Sequence, residues 1–560
     1  MSNTTRLELD EVAAQDYDLV VIGAGINGAA IAREAALQGT RTLLIDKGDF
    51  GSGTSSWSSR LMHGGLRYLE FMEFALVHES LRDREALFGI ASHLVKPLPF
   101  VVPLYGHNHK PGWMMRVGMA MYDALSWNKS VPRHRKLNKK AMAVELGGLD
   151  TTSLGGGLHY YDGQVEFAER LVIENVIDAA RHGATVRNHT QAVALTTQGS
   201  TVTGVELQDV LTGRTASVRA RVVVNAAGPW VDDVLVGSSP SMSRLIGGTK
   251  GTHAVVGPFP GAPTCAVYYE ARSDNRAVLV IPWRGYFLIG TTDDRFEGDL
   301  DTVAATQDEV DYILAETNEL IPGAGLTRES VVMTYAGVRP LPFQADGDTR
   351  AISRSHDIVD HGELEGLISV VGGKLTPHLS LAEETLTMAY RKMKLGKPTY
   401  HARNTPLPGA GPDPARVLRS AAADLGLPES LVERLVDVYG SRVDVLLELA
   451  RSNPELAEVV GRGRGAFLAA EVVLALTEEY AVTLGDILHR RMMLGIEPGV
   501  QDDVAEAVGR ILQRNAGWSS DRVARDIREN QQYVERLTSC TGTQVSTARH
   551  NEPSYSTTGS

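Results

Sequence analysis

Cysteine is nearly absent. Cys265 and Cys540 are the only two in 560 residues, and they stand far apart. No Cys-x-x-Cys pair or Cys/His ligand spacing occurs, which excludes a disulfide scaffold and structural zinc and suits a reducing compartment. No metal site is expected. Long apolar runs are also missing: no stretch of about 18 uninterrupted apolar residues occurs, so no helix is expected to span a bilayer. Residues 1–15 are polar and acidic, without the basic and apolar regions of a secretory signal. A cytoplasmic location is therefore expected. Positive charge is in deficit, with 55 Lys and Arg against 68 Asp and Glu and a net charge of -13. That balance argues against a nucleic-acid partner. No internal repeat is present.

Apolar content of 43% and charged content of 22% are ordinary for a globular chain. The length suffices for two or three domains. Residues 18–22 predict a short buried strand, residues 29–38 a helix ended by Gly39, and residues 42–45 a second buried strand. This is a βαβ unit. A Gly/Ser/Thr loop fills 51–59, and 73–87 reads as an amphipathic helix. Further strands are predicted at 222–225, 277–282, 286–290 and 367–371, long after the first unit. A dinucleotide domain built from separated segments, with a second domain inserted, explains that order. From about residue 413 helical periodicity takes over through Ile527, behind a Pro/Gly-rich hinge at 406–412. The fold class is α/β plus α. Residues 541–560 are polar and predicted to be a disordered tail.

The turn Gly23-Ala24-Gly25-Ile26-Asn27-Gly28 sits between the first strand and the helix. Gly23 allows the tight turn, Gly25 the approach of a pyrophosphate, and Gly28 the packing of helix on strand. The helix N-terminus offers free N–H groups to phosphate. Asp46 closes the second strand, where an acid accepts from a ribose diol and repels a 2′-phosphate. The loop Gly51-Ser52-Gly53-Thr54-Ser55-Ser56 is rich in hydroxyls and suits a larger cofactor. Together with the late return of the strands, it favours FAD over NAD.

The run Gly53-Thr54-Ser55-Ser56-Trp57-Ser58-Ser59-Arg60-Leu61-Met62-His63-Gly64-Gly65-Leu66-Arg67-Tyr68-Leu69-Glu70 resembles the signature of FAD-dependent glycerol-3-phosphate dehydrogenases. Five shorter blocks follow in that family's order: 225–230, 250–253, 289–293, 335–341 and 372–376. The resemblance covers roughly residues 17–540. It implies oxidation of sn-glycerol 3-phosphate to dihydroxyacetone phosphate, with electrons passed to a membrane quinone. It further implies a discontinuous Rossmann-like FAD domain at 17–82, 160–248 and 333–388. An inserted antiparallel-sheet substrate domain takes 83–159 and 249–332, and a C-terminal helical cap takes 403–540. The implied FAD ligands are Gly23, Gly25, Asn27, Gly28, Asp46, Thr54, Ser55, Ser59, His63, Gly64, Gly65, Gly228, Gly373, Lys374, Leu375 and Thr376. One departure stands out: Pro377-His378-Leu379 replaces the Thr/Glu-Tyr-Arg common after the last block.

Oxidising a secondary alcohol requires a proton acceptor and a fixed phosphate. Guanidinium groups match phosphate oxygens, which selects Arg67 and Arg339, with Tyr68 adding a hydroxyl contact. His253 is the first candidate for the base, because histidine titrates near neutral pH; His63 is the second. Arg339 or Lys374 would stabilise developing negative charge.

Residues 107–141 carry Lys110, Arg116, Lys129, Arg133, Arg135, Lys136, Lys139 and Lys140 against Asp123 alone, with Trp113, Met114, Met115, Met119, Met121, Tyr122 and Trp127. Such a mixture suits an anionic membrane surface, where quinone is reached. The expected partners are therefore glycerol 3-phosphate, membrane quinone, the inner face of the cytoplasmic membrane and a second copy of the chain in a homodimer. Competing readings are a glycerol-3-phosphate oxidase using O2, an FAD enzyme of amines or amino acids, and a catalytically silent flavoprotein.

Overall fold

The computed structural model describes residues 6–127, 129–236, 243–345, 352–411, 425–499 and 501–542. The side chains of Arg67, Glu70, Phe71 and Gln501 lie outside that description. Two large sheets make up the part of the molecule that precedes the C-terminal helices. The first has a parallel core in the spatial order Leu367–Val371, Thr215–Asn225, Asp16–Ile22, Thr42–Ile45, Thr185–Arg187. Its strands are apolar and buried nearly throughout, as a parallel sheet covered on both faces requires. The helix Ile26–Leu37 is almost wholly buried and supplies five buried alanines. Small side chains let it pack closely on the helix Ala168–Arg181. The crossing of chain segments places Ile22, Asn225 and Val371 at neighbouring carboxyl ends, where open α/β sheets bind ligands.

The second sheet has ten strands and is antiparallel except where Ala266–Glu270 runs parallel to Val95–Tyr105. It takes more of the chain than the sequence implies. Val331–Arg339 pairs with Thr249–Val256, and Leu154–Val165 pairs with Val95–Tyr105 and with Leu61–Met62. Boundaries expected at 160 and 333 therefore fall inside strands of this sheet. The reason is local: these strands are buried on both faces or paired along their whole length, so neither breaks where a motif begins.

The C-terminal part is helical as expected, with its own apolar core around Phe467, Leu484, Ile487, Val508 and Leu512. The helix Ser520–Thr538 carries it past Ile527. The expected hinge is tied down where it is described: Leu407 N donates to Ile90 O (2.8 Å), and Gly409 N to Glu174 Oε2 (2.6 Å). Residues 412–424 and the tail from 543 lie outside the described residues. Buried ion pairs join this domain to the rest. Asp49 meets Arg491 at 2.7 Å and Arg490 at 2.5 Å, and Arg170 meets Glu479 at 2.7 Å. Among the described residues no helix is long and apolar enough to cross a membrane.

Candidate active site

One cavity of about 1030 Å³ runs from the glycine turn to the floor of the second sheet. At its dinucleotide end, the helix Ile26–Leu37 begins at Gly25 with no side-chain cap. Ser55 Oγ accepts from Ile26 N (3.0 Å), tying the hydroxyl-rich loop to that helix end. Asp46 holds the turn: Oδ2 accepts from Ala24 N (2.7 Å) and Oδ1 from Gly48 N (2.9 Å). Gly23, Gly25, Asn27, Asp46, Thr54, Ser55, Ser59, His63, Gly65, Gly228, Gly373, Lys374, Leu375 and Thr376 all line the cavity. Gly28 and Gly64 do not. A Cβ on Gly28 would lie 1.8 Å from Gly23 O, so Gly28 is needed for helix-to-turn packing. Gly64 sits behind the wall, its N–H donating to Tyr122 Oη (2.8 Å). The cradle suits a dinucleotide: a helix end whose N-cap, Gly25, has no side chain of its own, an acid beside it, and the amide oxygen of Asn27 buried without a partner.

At the other end, strand register builds a cationic floor. His253 lies opposite Gly290 on one neighbour and Tyr335 on the other, and its ring stacks on Tyr335 at 4.9 Å. Its Nε2 is 2.8 Å from Ser59 Oγ. Arg339 reaches back across the same strand. It donates to Asp293 Oδ1 (3.0 Å), Thr291 Oγ1 (3.0 Å) and Thr292 O (3.1 Å). That path exists only because residue 251 lacks a side chain, since a Cβ there would lie 2.2 Å from Arg339 Nη2. Arg354 joins from outside, donating to Asp293 Oδ2 (2.6 Å). Lys374 is half-buried, with its Nζ buried and without a hydrogen-bond partner, 3.5 Å from the ring centroid of Tyr68.

Burial acts differently on the candidate proton acceptors. Burial, then the Arg339 and Arg60 guanidiniums, push His253 down to about 3. It is neutral throughout the physiological range and does not titrate near pH 7 as a free histidine would. Burial also draws Lys374 down to about 7, which brings the amine into the range a general base needs. Burial lowers the second candidate, His63, as well.

The family model described as FAD dependent oxidoreductase matches residues 18–379. A second, described as the C-terminal domain of alpha-glycerophosphate oxidase, matches residues 400–523. The chain is 41% identical over 541 residues to a glycerol-3-phosphate dehydrogenase of Synechocystis sp., spanning 94% of this chain and 98% of that protein. The chain belongs to the FAD-dependent glycerol-3-phosphate dehydrogenase family. A D-erythritol 1-phosphate dehydrogenase of Brucella abortus is 37% identical, over 85% of this chain and 93% of its own length. The structure of the glycerol-3-phosphate dehydrogenase from Bacillus halodurans complexed with FAD superposes with a TM-score of 0.78 at 28% identity, covering 96% of this chain and 98% of that one. FAD is the cofactor, and the chain is an FAD-dependent oxidoreductase.

Within this family frame, the structure brings Tyr68, His253, Arg339 and Lys374 to one cavity; the side chain of Arg67 lies outside the described residues. Sequence reasoning missed Arg354, which stands in no motif, and Asp293, which closes one of the quoted blocks. It also missed the C-terminal contribution. His489, Arg490, Asn530 and Tyr533 line the cavity, and no local pattern in a helical segment announces that. The departure at 377–379 is structural: His378 is fully buried, with Nδ1 2.8 Å from Leu375 O.

Proposed function

We propose that the chain oxidises sn-glycerol 3-phosphate to dihydroxyacetone phosphate and passes the electrons to a membrane quinone. The observation that carries this reading is the group Arg339–Asp293–Arg354, two guanidiniums sharing one carboxylate at the substrate end of the cofactor cavity. A phosphate dianion competes well for such a pair, and Tyr68 lines the same cavity. Bound FAD supplies the hydride acceptor at N5 for the hydrogen leaving C2. Gly23, Gly25 and Asn27 hold the pyrophosphate, Asp46 the ribose, and residues 373–376 the ring end. His253, held neutral, donates its ring N–H to the substrate hydroxyl oxygen. Lys374, neutral above about pH 7, takes the hydroxyl proton, and Arg339 steadies developing charge.

The acceptor reading rests on the exposed face of the helix Gly112–Leu125. Met115, Met119 and Tyr122 point inward, while Trp113, Met114 and Val117 are exposed, as are neighbouring Met72 and Trp127. Arg116, Arg133, Lys136, Lys139 and Lys140 are exposed in the same stretch, and the Arg133 guanidinium lies 5.3 Å from the ring centroid of Trp127. Exposed apolar side chains and cations in one stretch fit an anionic bilayer surface, which supports a peripheral position on the inner face of the cytoplasmic membrane. The test is anaerobic addition of glycerol 3-phosphate to the holoenzyme. Bleaching of the flavin absorbance is expected, faster than with D-erythritol 1-phosphate; no bleaching refutes the reading. Rapid oxygen consumption without added quinone would assign the oxidase alternative instead.

A further inference from the structure

Three separate segments bring a histidine and two carboxylates together. Glu79 comes from the helix Phe74–Ile90, His356 from the approach to the strand Asp357–Asp360, and Glu384 from the helix His378–Lys392. One ligand-capable atom from each lies within 4.8 Å of the other two. His356 Nε2 is 3.0 Å from Glu384 Oε2, and its Nδ1 is 3.8 Å from Glu79 Oε1. The His356 side chain is only 5% exposed. Its Nδ1 and Glu79 Oε1 are both buried without a hydrogen-bond partner, which is costly. Among the described residues one other group of this kind occurs, Asp49–His189–Asp486. There guanidiniums already supply the positive charge, Arg491 at 2.7 Å and Arg490 at 2.5 Å from Asp49. Glu79 has no such partner among the described residues: Arg82 is turned to Ser380 Oγ (2.8 Å) and Glu383 (3.5 Å) instead.

We propose that Glu79 Oε1 and His356 Nδ1 bind a divalent transition-metal cation of the zinc type, with Glu384 holding the far nitrogen of the imidazole. When Nε2–H donates to Glu384, the neutral ring turns the lone pair of Nδ1 toward Glu79. Two electron-pair donors then face each other across a gap too long for a hydrogen bond. Ligands about 2.1 Å from a cation stand roughly 3.4 Å apart at the tetrahedral angle and roughly 4.2 Å apart when opposite. The observed 3.8 Å lies between these. Imidazole with carboxylate suits zinc-type ions, whereas magnesium and calcium favour oxygen alone. Histidine ligands commonly give their second N–H to a carboxylate, which is the part Glu384 takes. The open side, where Glu384 is 58% exposed, admits water to the remaining positions. The expectation that the chain holds no metal rests on short ligand spacings, and these three residues have none.

Glu79 faces Asp83, Glu384 and Arg82 besides His356, and His356 faces Lys374 besides the two glutamates. Asp83 is itself paired with Arg403 at 2.5 Å. Burial lifts the Glu79 carboxyl to about 7, as for a carboxylate short of positive partners. Against the opposing pull of burial, Glu384 and Glu79 raise His356. Proton and cation therefore compete for the same two atoms, and binding tightens as pH rises. The cation also ties residues 352–356 to two helices. Ser353 Oγ already donates to Glu73 Oε1 (2.7 Å). Arg354, two residues before His356, reaches Asp293 Oδ2 (2.6 Å) at the substrate end of the cavity. A filled site thus pins the stretch that presents Arg354.

The test titrates chelator-treated holoenzyme with Zn2+ in a calorimeter, below and above neutral pH, with Mg2+ in parallel. Binding of Zn2+ is expected, tighter above neutral pH, with none of Mg2+. His356→Ala and Glu79→Gln are each expected to weaken Zn2+ binding about tenfold or more. Glu384→Gln, an exposed change that spares the fold, is expected to weaken it about tenfold. Unchanged flavin absorbance and far-UV circular dichroism establish that the variants are folded. Hydrogen exchange across residues 352–356 is expected to slow when Zn2+ is added to the wild type, but not to His356→Ala. The cation site is overturned if Zn2+ does not bind, or if the wild type and all three variants bind it equally. Binding without slower exchange overturns the pinning of residues 352–356. Neither readout involves turnover, so the site stands or falls apart from the oxidation reading.

Discussion

At the scale of single residues, the site depends on a missing side chain as much as on the charged ones. Arg339 crosses its neighbouring strand through the space over Gly251. Gly251→Ala is expected to push the guanidinium off Asp293 and Thr291. With hydrogen bonds to a charged group worth about 1.5–3 kcal/mol, kcat/KM for glycerol 3-phosphate should fall roughly 10- to 100-fold, while FAD content and far-UV circular dichroism stay unchanged. Lys374 makes a second prediction, with its sign set by burial. A lysine drawn down to about 7 is protonated, and useless as a base, below that pH. Flavin reduction should therefore rise as pH passes upward through about 7, and Lys374→Met should abolish the rise, as anaerobic stopped-flow absorbance will reveal. His253 and Arg339 were legible in the sequence because they stand in short blocks with fixed neighbours. Arg354 was not, because nothing local distinguishes it from a surface charge. The neutral state of His253 was illegible too, since burial and two guanidiniums from distant segments produce it.

Among elements, the clearest reading from sequence was the first βαβ unit, where apolar runs and a glycine turn demand one arrangement. The strands Thr42–Ile45 and Leu367–Val371 fall where the apolar runs end. Register between distant strands was not legible, and it is register that sets His253 against Tyr335. The helix Gly112–Leu125 was read only as a mixture. The fold sorts it: Tyr122 bonds Asp162 at 2.8 Å and Gly64 N at 2.8 Å, fixing one face inward, while Trp113 remains 63% exposed. Trp113→Glu combined with Val117→Glu should reduce cosedimentation with vesicles of anionic lipid about tenfold or more, without slowing flavin reduction by glycerol 3-phosphate. Raising the salt concentration should weaken the wild type in the same assay, because exposed charges are screened.

The molecule as a whole is held together by charges buried between its parts. Asp49 belongs to the loop after the second strand, yet both its oxygens are engaged by Arg491, and Oδ2 also by Arg490, from the C-terminal domain. Removing one partner of a buried pair typically costs about 3–5 kcal/mol. Asp49→Asn is expected to lower the urea midpoint of the C-terminal domain and to loosen FAD, whose cavity that domain helps to wall; FAD fluorescence in the filtrate after dialysis measures the second effect. The interleaving of the parallel sheet has a further consequence for synthesis. Asp16–Ile22 and Thr42–Ile45 leave the ribosome first, but their neighbour Thr215–Asn225 comes much later, and Leu367–Val371 later again. At roughly 5–20 residues per second, the two earliest strands wait on the order of tens of seconds with unpaired, apolar edges. The nascent enzyme is therefore expected to depend on shielding of such edges during synthesis. Its arginine clasp on Asp49 forms only after Arg490 and Arg491 have been made, later than every strand of that sheet.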